Sequence, residues 1–94
     1  MGMRTIVLDC ARLTEREEAM GYLTEALELP EWWGRNLDAL YDCLTEVGGP
    51  TQMILQNRDA LETTRFGRVL GRVLMDSAAD NPRICLEQSG NGGD

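Results

Sequence analysis

Apolar and polar positions follow two regimes along this chain: short unbroken apolar runs, and longer stretches in which apolar residues return every three or four places. Arg-Thr-Ile-Val-Leu-Asp at 4–9 is a β-branched apolar run of the kind that forms a strand buried on both faces. Thr14, with Glu17 three places on, is a capping-box signature. Ala19, Met20, Tyr22, Leu23, Ala26 and Leu27 then recur at helical spacing, which predicts a first helix over about 14–28, ended by Pro30. Gly21 inside it costs roughly 1 kcal/mol against Ala and marks either close packing or a tolerated weakness. Leu37, Leu40, Tyr41 and Leu44 mark the stripe of a second helix from about Asn36 to Thr45, stopped by Gly48-Gly49-Pro50. Met53-Ile54-Leu55 centres a second strand over Gln52–Gln56, and a turn or short helix follows near 58–62.

Thr63 or Thr64 can cap a longer helix in which Phe66, Val69, Leu70, Val73 and Leu74 form one face to about Ala79. Asn81-Pro82 stops it, and Arg83–Glu87 supplies a third strand around Ile84-Cys85-Leu86. Three short apolar strands separated by helices imply crossover connections, hence an α/β fold with a parallel sheet covered by helices. Residues 1–88 read as a single domain, and the polar 89–94 as a disordered tail.

Composition narrows what such a domain can do. Its 94 residues, 43% of them hydrophobic, suffice for one core and one site. The formal charge is −7, and residues 15–46 hold nine acids against Arg16 and Arg35, which accounts for the whole excess. Acidity confined to one region implies a cationic partner and argues against direct binding of nucleic acid. Histidine is absent, which removes the commonest general base and zinc ligand and weakens any enzyme reading. Cys10, Cys43 and Cys85 lie in separate apolar segments without CxxC spacing and read as reduced core thiols. Nothing resembles a membrane span or a leader, so a cytoplasmic location is expected, with no cofactor, no metal and no membrane contact.

The candidate site is Leu29–Glu46. Pro30 and Gly34 bracket Trp32 and Trp33 in a short loop, where adjacent rings rarely point the same way, so one is expected in the core and the other outside. On a helical projection Leu40, Leu44, Leu37 and Tyr41 share an arc of about 100°, while Thr45, Asp38 and Asp42 lie about 80–140° from Leu37. The aspartates thus stack one turn apart on an exposed face bordered by Tyr41. Asp38 gains from its place in the first helical turn. Asp42 does not: Asp is a poor mid-helix residue, and the like charge at i, i+4 costs about 0.2–0.5 kcal/mol. A catalytic acid pair or two metal ligands would need a nucleophile or third ligand that is missing. Asp76 and Asp80 repeat the spacing, with Arg72 placed to pair with Asp76.

Leu-Pro-Glu-Trp-Trp-Gly-Arg-Asn-Leu-Asp-Ala-Leu-Tyr-Asp-Cys-Leu-Thr at 29–45 closely resembles the hallmark of the barstar family, intracellular inhibitors of the bacterial ribonuclease barnase. The resemblance implies a barstar-like fold with a small three-stranded parallel sheet and three to four helices. It implies a protein, not an enzyme, that blocks a secreted or delivered ribonuclease as a monomer or a 1:1 complex. By the same resemblance Asp42 enters the enzyme's phosphate-binding site, Trp32 packs over its active site and Trp33 is buried. Asn36, Leu37, Asp38, Ala39, Tyr41 and Thr45 complete the contact face, with Asp76 near the last helix. Arg35, which stands where the pattern has an acid, is expected to dilute the negative field of the second helix. With the short 46–50 loop it argues for a nuclease other than barnase, or for weaker binding. A barstar-fold module binding a basic non-nuclease is the alternative.

Overall fold

In the computed structural model, which describes residues 2–89, three parallel strands form one sheet in the order β1 (Arg4–Asp9), β2 (Thr51–Gln56) and β3 (Ile84–Ser89). The first crossover carries α1 (Arg16–Ala26) and α2 (Leu37–Thr45), and the second carries α3 (Arg65–Asp80). Short 3-10 helices at Cys10–Arg12 and Arg58–Thr63 follow the first two strands. Apart from Ser89, which closes β3, the tail expected at 89–94 lies outside the described residues.

Register explains the core. Ile6 is paired with Met53 and Leu8 with Leu55, and all four are buried with Ile84 under the helices. The other face is open: Thr5, Val7, Cys85 and Glu87 are exposed and Gln52 and Ile54 half-buried. Burial of β1 on both faces, expected from its composition, is therefore wrong. The strands are laid down in order across the sheet, so right-handed crossovers leave both helical connections on one side. An apolar run reports β-propensity and cannot count the layers above it. The core-thiol reading also fails for Cys85, which the same geometry exposes, whereas Cys10 is buried and Cys43 half-buried. Burial, opposed by Arg58, pushes the Cys10 thiol up to about 11.

Two helix details differ from expectation. The capping box does not form: Glu15 is the N-cap of α1 and makes no side-chain cap, and the Thr14 carbonyl instead accepts from Thr64 Oγ1 at 2.9 Å. Thr64 also caps α3, accepting from Gly67 N at 2.9 Å, so one hydroxyl ties the α1 approach to the α3 start. Along α3 the buried face is Gly67, Leu70, Gly71, Leu74 and Ser77, whereas Val69 is exposed. The glycines decide this. A Cβ on Gly67 would lie 2.7 Å from the Leu61 carbonyl oxygen, so only glycine lets α3 press onto the 3-10 turn there. Gly21 is the opposite case, with no atom near its missing Cβ, so no packing requires glycine there.

Candidate functional site

The loop ahead of α2 sorts its tryptophans by one hydrogen bond. Trp33 Nε1 donates to Thr24 Oγ1 on α1 at 2.9 Å, and Thr24 in turn donates to the Met20 carbonyl at 2.7 Å. That satisfies the indole polar atom and lets the ring sit in the core at 4% exposure. Trp32, one residue away, is 84% exposed. That leaves a large aromatic surface in water beside the start of α2. Gly34 (φ +94°) and Arg35 (φ +49°) then turn the chain through two left-handed residues, at a cost of roughly 1–2 kcal/mol for the arginine.

Asn36 caps α2: its Oδ1 accepts from Ala39 N at 2.7 Å while its Nδ2 donates to the Gly34 carbonyl at 3.3 Å. Of the contact residues expected from the sequence, Asn36 is thus engaged within the loop, and its exposed side chain fixes where α2 starts. Leu40 and Leu44 are buried, Leu37, Ala39, Tyr41 and Thr45 half-buried, and Asp38 and Asp42 exposed on the outer face. The helical projection places these residues correctly. Thr45 donates to the Asp42 carbonyl at 3.1 Å. No ion pair reaches Asp38 or Asp42 among the described residues, so their charges are uncompensated.

The α2 and α3 helices meet at Tyr41. Its hydroxyl donates to an Asp80 carboxylate oxygen at the end of α3. That bond, partial desolvation and the negative charges of Asp80, Asp76 and Asp42 push the phenol above its ordinary value. Tyr41 therefore stays neutral at physiological pH amid three carboxylates. Asp76 is brought to this surface as expected, with Arg72 Nε 3.7 Å from it. Arg35 lines a hollow with Arg16, Glu17 and Met20 of α1 and forms no ion pair with Asp38, so any dilution of the α2 field acts at longer range. The left-handed backbone at Arg35 is the local feature that sets it apart from the helix that follows. No group of three His, Cys, Asp or Glu side chains able to hold a metal occurs among the described residues, and no helix among them is long and apolar enough to cross a membrane.

The sequence model of the family described as barstar (barnase inhibitor) matches residues 3–80, nearly the whole described chain. The chain belongs to the barstar family. A curated relative, "Putative ribonuclease inhibitor YrdF" of Bacillus subtilis (strain 168), is 41% identical over 56 residues, covering 58% of this chain and 62% of that protein. The barstar-like fold read from 29–45 is thus met by the family match and by the three-stranded parallel sheet alike.

Within this barstar-family surface two residues were not singled out beforehand as part of the site. Asp80 partners Tyr41; the sequence set it, with Asp76, at the flank of this surface by the repeated i, i+4 spacing, without naming it as a contact. Asn81, buried at 4% exposure, donates Nδ2 to the carbonyls of Leu44 (3.0 Å), Thr45 (3.4 Å) and Val47 (3.1 Å) and accepts from Arg83 N at 3.0 Å. One carboxamide thus closes the open carbonyl end of α2 from the far end of α3. In sequence Asn81-Pro82 is only a helix stop, and its long-range task has no local signature.

Proposed function

We propose that this protein inhibits a secreted or delivered bacterial ribonuclease of the barnase type, binding from the cytoplasm of the cell it protects. Trp32, Asp38, Tyr41 and Asp42 form the centre of the blocking surface, with Leu37, Ala39, Thr45 and Asp76 around them and Asn36 holding the helix start. The observation that carries this reading is the uncompensated carboxylate pair on α2 beside a tryptophan 84% exposed. A ribonuclease must offer cationic groups to phosphates and an apolar slot to a base. A carboxylate stripe and an indole present the same two kinds of group in a form that cannot be cleaved. The inhibitor needs no chemistry, cofactor or metal for this, only a surface held rigid before contact. Family membership and the name of the Bacillus subtilis relative support the same partner class.

Purified protein is titrated into a panel of guanyl-specific bacterial ribonucleases, barnase included, together with any ribonuclease encoded beside its gene. Stoichiometric inhibition of at least one member is expected, lost in Asp42→Ala and slowed by raised ionic strength. Inhibition of none, or an Asp42→Ala variant as potent as the parent, rejects the reading. Recovery of a basic non-nuclease on the same face favours the module alternative.

A further inference from the structure

The acidic chain carries a small positive corner beside its recognition loop. Arg16 and Arg35 line one open hollow with Glu17 and Met20. Both arginines are exposed, and neither has an acid within 4.0 Å among the described residues. Arg4, Arg12, Arg58 and Arg72 each meet a carboxylate, at 3.5, 3.3, 3.5 and 3.7 Å, and of the other arginines unpaired among the described residues, Arg65, Arg68 and Arg83, none lines this hollow. Among the four residues that line the hollow, two guanidinium groups stand against the single Glu17 carboxylate.

This corner adjoins an interface built on Trp32 and Asp38. Arg35 is three residues from each, so its Cα lies within roughly 11 Å of both by chain length alone. An ordinary interface covers roughly 800 Å² per partner, a patch about 30 Å across. A partner seated on Trp32 and Asp38 is therefore wide enough to reach Arg35 as well. A guanidinium that loses water at an interface without gaining an acceptor is unfavourable, which favours a partner that supplies one.

Resting on the inhibitor reading of this face, we propose that Arg16 and Arg35 receive a carboxylate from the rim of the partner's cleft. The binding face is then bipolar: acids on α2 enter the cationic cleft while the arginine corner grips an Asp or Glu at its edge. A planar guanidinium offers paired donors that a carboxylate accepts side by side. The corner also repels a nuclease whose rim is basic at that point, so it selects among cationic clefts that the α2 acids alone would not distinguish.

The sign of one substitution separates this from a mere dilution of negative charge. Arg35→Glu makes the chain two charges more negative than −7, so long-range steering alone quickens association with a cationic nuclease. A lost carboxylate contact acts the other way. Surface plasmon resonance at 0.15 M salt, against the panel ribonuclease that the parent protein inhibits best, is expected to show Arg35→Glu weakened about tenfold through faster dissociation. Arg16→Glu and Arg35→Gln weaken binding in the same direction, and Arg35→Lys keeps most of the affinity. Binding by Arg35→Glu as tight as the parent's or tighter, while Asp42→Ala still loses inhibition, overturns the arginine corner and leaves the inhibitor reading standing. Inhibition of no panel member removes both. Calorimetric titration with inorganic phosphate covers the other anion source: phosphate held by the parent and lost in Arg35→Glu, with nuclease affinity unchanged, assigns the hollow to a free anion and overturns the proposal.

Discussion

Helices α1 and α2 both lie in the acidic stretch of the chain, yet among the described residues cations answer part of the charge around α1, leaving Glu17 and Glu25 unpaired, and none of that on α2. Around α1, Glu18 lies 3.3 Å from Arg12 and Glu28 3.5 Å from Arg4, and the Arg12 guanidinium also sits 4.7 Å from the centre of the Tyr22 ring. Around α2 no cation answers Asp38 or Asp42, and the neighbouring helix adds Asp76 and Asp80 instead. The difference does not lie in composition, since both helices are flanked and filled by acids. It lies in what the fold brings beside them: the strand and the 3-10 turn that touch α1 carry arginines, while the C-terminal end of α3 that touches α2 carries aspartates. Exposed pairs such as those around α1 contribute little to stability, but they cancel field, whereas the field of Asp38 and Asp42 is left uncancelled by any ion pair among the described residues.

The junction between the two helices is the first place to break this comparison, and the largest effect is expected there. Trp33→Ala should cost about 3–5 kcal/mol in chemical denaturation, because it empties a core site and orphans the Thr24 tie to α1. Trp32→Ala should leave stability within about 0.5 kcal/mol. Equal destabilisation by both would mean that the loop is not divided between core and surface.

Next comes Asp42→Ala, expected to weaken ribonuclease binding by about 2–5 kcal/mol while leaving the fold intact or slightly more stable, since a like-charge neighbour of Asp38 is removed. Glu18→Gln on α1 should change binding less than twofold, measured in the same inhibition assay. Comparable losses would show that net charge matters and its placement does not. Asn81→Ala should lower stability by about 2 kcal/mol, because the carbonyls of Leu44 and Thr45 in α2 and of Val47 just past it lose their shared donor, and should move the thermal midpoint down by about 8–16 °C. Gly21→Ala should raise stability by roughly 0.5–1 kcal/mol, as its Cβ enters open space on α1. A loss would mean that α1 is itself covered.

The smallest effect is on pH dependence. The Tyr41 phenol is held above its ordinary value near 10, so the folded chain prefers it protonated. Stability from this preference is fully present below pH 10 and is lost as pH rises through the raised value. Thermal unfolding of the parent and Tyr41→Phe should therefore run parallel near neutrality, and the gap between them should shift in favour of Tyr41→Phe above pH 10. Taking the difference removes Cys10, whose thiol titrates near 11 in both.

The local sequence was enough to read the strands, the stop at Asn81-Pro82, the α2 stripe and the outward face of Asp38 and Asp42, because periodicity and capping act within a few residues. It was enough, too, for one tryptophan in and one out, and the family hallmark at 29–45 told which. What tertiary structure alone decided involves groups far apart in the chain. The open face of the sheet follows from two crossovers landing on one side. The closure of α2 follows from Asn81 reaching back to Leu44, Thr45 and Val47, and the acidic surround of Tyr41 from the end of α3. Arg35 shows the boundary most plainly. Its position in sequence sets it beside Asp38, but a left-handed backbone and the surface of α1 set it with Arg16. Charge is a property of residues, whereas a field is a property of their arrangement, and only the fold supplies the arrangement.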